Sequence, residues 1–89
     1  IRQGTNGSQT IITGAASNEN LANITQSGDQ GTSSLTQNGD FNEATLNQDG
    51  LLNESTITQL GNNNIASVTQ GATDNMSTIN QTGIGHNAT

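Results

Sequence analysis

The chain has no cysteine, no proline, no lysine and a single aromatic residue, Phe41, among its 89 residues. Without cysteine it can form no disulfide staple and no thiolate metal site, although that absence does not assign a redox compartment. Arg2 is the one basic residue against seven acids, for a formal net charge of −6. That balance excludes electrostatic binding to nucleic acid or to an anionic membrane surface. No apolar run approaches the length of a membrane-spanning helix, so no membrane insertion is expected. Neither an initiator methionine nor a secretory signal is visible, as expected of a processed chain or an excised piece. Asn, Gln, Ser, Thr and Gly instead supply 56 of the 89 positions. Composition alone would place such a chain among disordered or low-complexity segments.

The repeat overturns that assignment. Gln26, Gln37, Gln48, Gln59, Gln70 and Gln81 recur every 11 residues without a break. Two positions before each lies an aliphatic residue: Ile24, Leu35, Leu46, Ile57, Val68, Ile79. Four before lies a small residue, and six before lies Asn20, Gly31, Asn42, Asn53, Asn64 or Asn75. The template is N-x-[A/S]-x-[I/L/V]-x-Q-x-G, and a degenerate earlier copy carries Ser8, Thr10, Ile12 and Gly14 in its slots. From Gly14 to Gln26 the step is 12, so one residue is inserted around Ala15 to Glu19. Spacing by two puts Asn, the small residue, the aliphatic and Gln on one side of an extended segment. Each unit therefore reads as a seven-residue strand, closed by a four-residue bend in which Gly supplies positive φ. The opposite side is short, polar and uncharged, as in Thr56 and Thr58.

The small position alternates strictly, Ala22, Ser33, Ala44, Ser55, Ala66, Ser77, Ala88, so the true period is 22. Two strands per 22 residues predict an all-β, flattened β-solenoid of about four coils, each strand lying on the strand 22 residues later. No two acids are 22 apart, in keeping with the cost of like charges in register. The expected core is Ile12, Ile24, Leu35, Leu46, Ile57, Val68 and Ile79. One large aliphatic per unit, worth roughly 2 kcal/mol, is little against the entropy of ordering 11 residues. Backbone ladders and stacked Asn and Gln amides must supply the rest, and stability should rise with the number of coils.

Soluble solenoids protect their ends with polar caps or charged, proline-bearing edges, and no such segment is recognisable here. The stretch His86-Asn87-Ala88-Thr89 followed by Ile1-Arg2-Gln3 spells one further strand, with His in the Asn slot. Two arrangements explain this. Residues 1–89 are a single solenoid cut from a longer tandem array, or separate copies meet head to tail through Ile1, Gln3, His86 and Ala88. Both place a continuous filament along the coil axis.

Where Q-x-G-x-x-N-x-A recurs, most clearly at Ile57–Asn64 and Gln81–Thr89, the chain resembles the curlin repeats of curli subunits, the functional amyloid of bacterial biofilms. The resemblance implies secretion through an outer-membrane pore, nucleation at the cell surface by a minor subunit, and growth into extracellular cross-β fibres for adhesion and biofilm cohesion. It implies stacking ladders made of Gln26, Gln37, Gln48, Gln59, Gln70, Gln81, Asn20, Asn42, Asn53, Asn64 and Asn75. The departures are Gly31 and His86 for Asn, Gly14 for Gln, Ala72 for the turn Gly, and few aromatics.

Other chemistries lack residues. One histidine and no cysteine make no transition-metal site, and the dispersed acids match no calcium loop. N-x-S/T sequons such as those at Asn6, Asn23, Asn53, Asn75 and Asn87 follow mostly from the template itself. No nucleophile–base pair, paired carboxylates or phosphate loop supports catalysis, so neither enzyme activity nor a cofactor is expected. The rival reading is an ice-binding β-solenoid presenting Thr56-x-Thr58, Ser67-x-Thr69 and Thr78-x-Asn80 as a flat array; Asn47 and Asn80 interrupt its columns.

Overall fold

Eight strands emerge from the period-two pattern in the computed structural model, which describes residues 9–14 by their backbone and residues 19–89 in full. They are β1 (Gln9–Gly14), β2 (Leu21–Gln26), β3 (Thr32–Asn38), β4 (Glu43–Gln48), β5 (Glu54–Asn62), β6 (Ile65–Gln70), β7 (Met76–Ile84) and β8 (Asn87–Ala88). They form two four-stranded parallel sheets, β1-β3-β5-β7 and β2-β4-β6-β8. Successive strands alternate between the sheets, so each pair of strands is one coil of a β-solenoid. Every ladder from β2 onward has a register of 22, as in Ala22 on Ala44 and Ser33 on Ser55. β1 lies on β3 with a register of 23, Gln9 on Thr32. The extra residue read between Gly14 and Gln26 is therefore absorbed before β2.

The two inner faces meet along a thin body of 34 × 21 × 12 Å, its least extent close to the roughly 10 Å that separates packed sheets. Ile24, Leu46 and Val68 stack from one sheet, and Leu35 and Ile57 from the other, with Ile79 partly buried at the outer level. Ala44 and Ala66 face this core across from the Ser33–Ser55–Ser77 column. Ile12 pairs with Leu35 by backbone, and its side chain lies outside the described residues. Among the described residues, seven apolar side chains are buried against eleven polar ones. The interior is thus mostly amide and hydroxyl, and its stability depends on how those groups are bonded.

Two boundaries differ from expectation. The Asn of the template stands just outside its strand, which begins one residue later at Leu21, Glu43, Glu54, Ile65 or Met76. β5 and β7 run on for nine residues, through Gly61 and Gly83, so pairing continues into the bend. Corner hydrogen bonds link successive coils as well, for example Ser27 N to Gln48 O (2.9 Å) and Asp49 N to Gln70 O (2.8 Å).

Candidate assembly site: the axial amide ladders

The same-face spacing that buries Gln also aligns copies of it one coil apart, close enough for amide to meet amide. In the β2-β4-β6 sheet Gln26 Nε2 donates to Gln48 Oε1 and Gln48 Nε2 to Gln70 Oε1, both at 2.8 Å. In the β3-β5-β7 sheet Gln37 donates to Gln59 and Gln59 to Gln81, both at 3.0 Å. The second amide proton crosses to the opposite wall. Gln48 reaches Thr32 O (3.2 Å), Gln59 reaches Glu43 O and Gln70 reaches Glu54 O (both 2.9 Å), and Gln81 reaches Ile65 O (2.8 Å). One side chain thus bonds along the axis and ties the two sheets together where each strand begins, which is why an uncharged donor–acceptor is required in that slot.

Asn does the corresponding work in the corners, where a short amide reaches backbone rather than another amide. The Oδ1 atoms of Asn20, Asn42 and Asn64 accept from the backbone N of Asn42, Asn64 and His86, at 2.9, 3.1 and 3.0 Å. Their Nδ2 atoms donate to Gly39 O, Gly61 O and Gly83 O, at 2.9, 2.8 and 3.1 Å. At the other corner Asn53 Oδ1 accepts from Asn75 N (3.1 Å), while Asn53 Nδ2 donates to Asp49 O (2.7 Å) and Ala72 O (3.2 Å). Asn75 Nδ2 donates to Gly71 O. Gly31 fills the Asn slot as a buried residue with the amide of Gln26 beside it, 3.4 Å from where a Cβ would stand.

All eleven residues expected to ladder lie in these four columns. Of the expected junction residues, Ala88 pairs with Ala66, and His86 ends the Asn20–Asn42–Asn64 column with an exposed side chain. Ile1 and Gln3 lie outside the described residues. Among the described residues no cluster of His, Cys, Asp or Glu is placed to hold a metal ion. Glu43 stacks between Leu21 and Ile65 and Glu54 between Thr32 and Met76, and Ser27 Oγ donates to Asp49 Oδ1 at 3.0 Å.

One set of positions was not foreseen. Glu19, Phe41, Asn63 and Gly85, and separately Gln30, Leu52 and Asp74, fall 22 apart and all take left-handed φ between 55° and 75°. The bends after Gln37, Gln48, Gln59, Gln70 and Gln81 therefore have two residues of positive φ, one in the template Gly slot and a second four residues past Gln, whereas the bend after Gln26 has only the second, Gln30, because Gly28 does not take positive φ. Only the first is marked by residue type; the second is occupied by side chains as different as Phe41 and Asp74.

A family model described as the curlin associated repeat matches the chain three times, at residues 18–50, 32–61 and 53–83. No curated protein and no solved structure matches it.

Proposed function

The chain belongs to the curlin associated repeat family, a family of structural amyloid subunits, and we propose that it is a self-assembling subunit of an extracellular, curli-like fibre. Growth proceeds by stacking of coils along the solenoid axis, so that residues 1–89 act as one solenoid segment of a continuous filament. The observation that carries this reading is the state of the outermost ladder members. Interior Gln48 and Gln59 each donate twice, along the axis and across the sheets, whereas Gln70 and Gln81 donate only across. Each outer amide keeps one N–H with no bond among the described residues, set in the register that a further coil would meet. The polymer itself is the functional object, serving adhesion and biofilm cohesion at a bacterial surface. By family resemblance the partners are a nucleating minor subunit and an outer-membrane secretion pore.

The test is time-resolved thioflavin fluorescence of the purified chain diluted from denaturant. Lag-phase growth that preformed fibres abolish is the expected result. A β-rich chain that stays monodisperse at high concentration contradicts the proposal, and thermal hysteresis by that monomer would move the assignment to ice binding through the outward Thr and Ser columns.

A further inference from the structure

The position between each ladder Gln and the template Gly slot accepts many side chains: Ser27, Asn38, Asp49, Leu60, Gly71 and Thr82 occupy it in turn. The slot after it is narrower. A Cβ on Gly39 would lie 2.0 Å from the carbonyl oxygen of Gly61, and φ at Gly39 is 113°, so this corner requires glycine. After Gln37 that constraint makes an Asn-Gly pair, Asn38-Gly39, and after Gln48 an Asp-Gly pair, Asp49-Gly50, the one pair of each kind among the described residues. Asn followed by Gly carries chemistry of its own. The Gly nitrogen is not shielded by a side chain and can attack the Asn side-chain carbonyl to close a succinimide ring.

The reaction needs only water. Gly39 N gives its proton to solvent base and bonds to Asn38 Cγ, the Cγ–Nδ2 bond breaks, and ammonia leaves. Water then opens the ring. Breaking the bond from Gly39 N to Cγ yields aspartate on an unchanged backbone. Breaking the bond from Gly39 N to the main-chain carbonyl carbon yields isoaspartate, whose backbone runs through the side chain and is one methylene longer. The coil holds the reacting atoms apart. Asn38 is the last residue of β3, its backbone extended and paired with Leu60, its exposed side chain on the outward side of the sheet. Gly39 sits against Gly61, and Asp40 N donates to Asn62 Oδ1 at 2.8 Å. Ring closure requires rotation about the Asn38 Cα–C bond, which would pull Gly39 out of its corner and break the pairing on both sides of it.

We propose that Asn38-Gly39 is a self-modification site of the unfolded chain that coil formation closes. A chain held unfolded accumulates both products there, and the corner sorts them. The aspartyl form fits, because Asp49 holds the corresponding place in the next half-coil, its backbone N donating to Gln70 O at 2.8 Å and its Oδ1 accepting from Ser27 Oγ at 3.0 Å. The isoaspartyl form does not fit. Its added methylene displaces Gly39 and Asp40 from Gly61 and Asn62, and with them the register set by Asn38 on Leu60. Time spent unfolded is thereby recorded as a covalent change that keeps an aged chain out of the solenoid. The proposal requires the coil and not the fibre.

In the experiment the full chain is incubated at one pH and temperature, unfolded in guanidinium chloride and folded in sodium chloride of equal ionic strength. Cleavage after glutamate releases residues 20–43, in which Asn20 and Asn23, followed by Leu21 and Ile24, are internal references for Asn38. Mass spectrometry follows amide-to-acid conversion, and isoaspartyl methyltransferase labelling separates the two products. In denaturant Asn38 is expected to convert ahead of both references. In the folded chain its conversion should be at least about tenfold slower, equivalent to about 1.4 kcal/mol for opening the corner. When the aged chain is returned to folding conditions, the isoaspartyl product should collect in the protease-sensitive fraction and the aspartyl product in the resistant one, and Asn38→Asp should fold as the parent does. Equal rates in the two states, conversion no faster than at Asn20 and Asn23, or isoaspartate shared evenly between the fractions would each overturn the proposal. Failure to polymerise with these results intact would strike the fibre reading alone.

Discussion

Gln59 Nε2 donates to Gln81 Oε1 at 3.0 Å, and its other proton goes to Glu43 O at 2.9 Å, so a single fully buried amide joins two coils and two sheets. Interior Gln residues of this kind replace, where seven apolar side chains are buried among the described residues, the cohesion that a larger core would provide. Removing one leaves several partners unbonded at once.

Gln59→Ala accordingly leaves Gln37 Nε2, Gln81 Oε1 and the Glu43 carbonyl each short of a bond. Buried groups left unpaired cost about 1–3 kcal/mol each, and a cavity adds to that. The expected loss is at least about 2 kcal/mol, read from urea denaturation of the fibre or the folded chain. An unchanged midpoint would mean that the ladder is incidental.

The turn slot makes a sharper contrast. Gly50→Ala puts a methyl 1.9 Å from Ala72 O at a φ of 102° and should abolish cooperative folding of the coils beyond it. Gly71→Ala, one corner position away, meets nothing within 4 Å and has no left-handed φ. It should be neutral or stabilising by up to about 1 kcal/mol, through reduced unfolded-state entropy. Circular dichroism of the two variants under identical conditions separates them.

Leu52→Gly should stabilise the folded chain by about 1 kcal/mol. The left-handed conformation costs a bulky residue about 1–2 kcal/mol, more than the roughly 0.4–1 kcal/mol of chain entropy that glycine adds to the unfolded state. Leu52 is half exposed, so little packing is lost. A fall in the denaturation midpoint would show that its side chain contributes more than its backbone costs.

Ser55 is 1% exposed, and among the described residues its hydroxyl has no hydrogen-bond partner. Ser55→Ala removes a buried polar group and keeps the volume nearly unchanged, so stability should hold or rise by about 1 kcal/mol. Loss of stability would indicate that the hydroxyl is bonded in solution.

Most of the architecture is legible because the slots that face inward are chemically narrow. Ala22, Ala44 and Ala66 alternating with Ser33, Ser55 and Ser77 separate two walls that a period of 11 alone would have merged, and the registers follow that alternation. The corners were read less well for a physical reason. Asn42 and Asn64 satisfy corner backbone rather than pairing in a strand, and spacing by two cannot distinguish a strand residue from the one that precedes it. The second left-handed position stayed hidden because Phe41, Leu52 and Asp74 share a backbone conformation and no chemistry.

The central claim is that the fibre is a stack of solenoid coils, and its mass per unit length tests this most directly. Four levels about 4.8 Å apart predict one 9.1 kDa chain per roughly 19 Å of protofilament, together with a meridional reflection near 4.8 Å. One chain for every 4.8 Å or so, the value for flat chains stacked in register, would contradict the solenoid even if the diffraction pattern were the same.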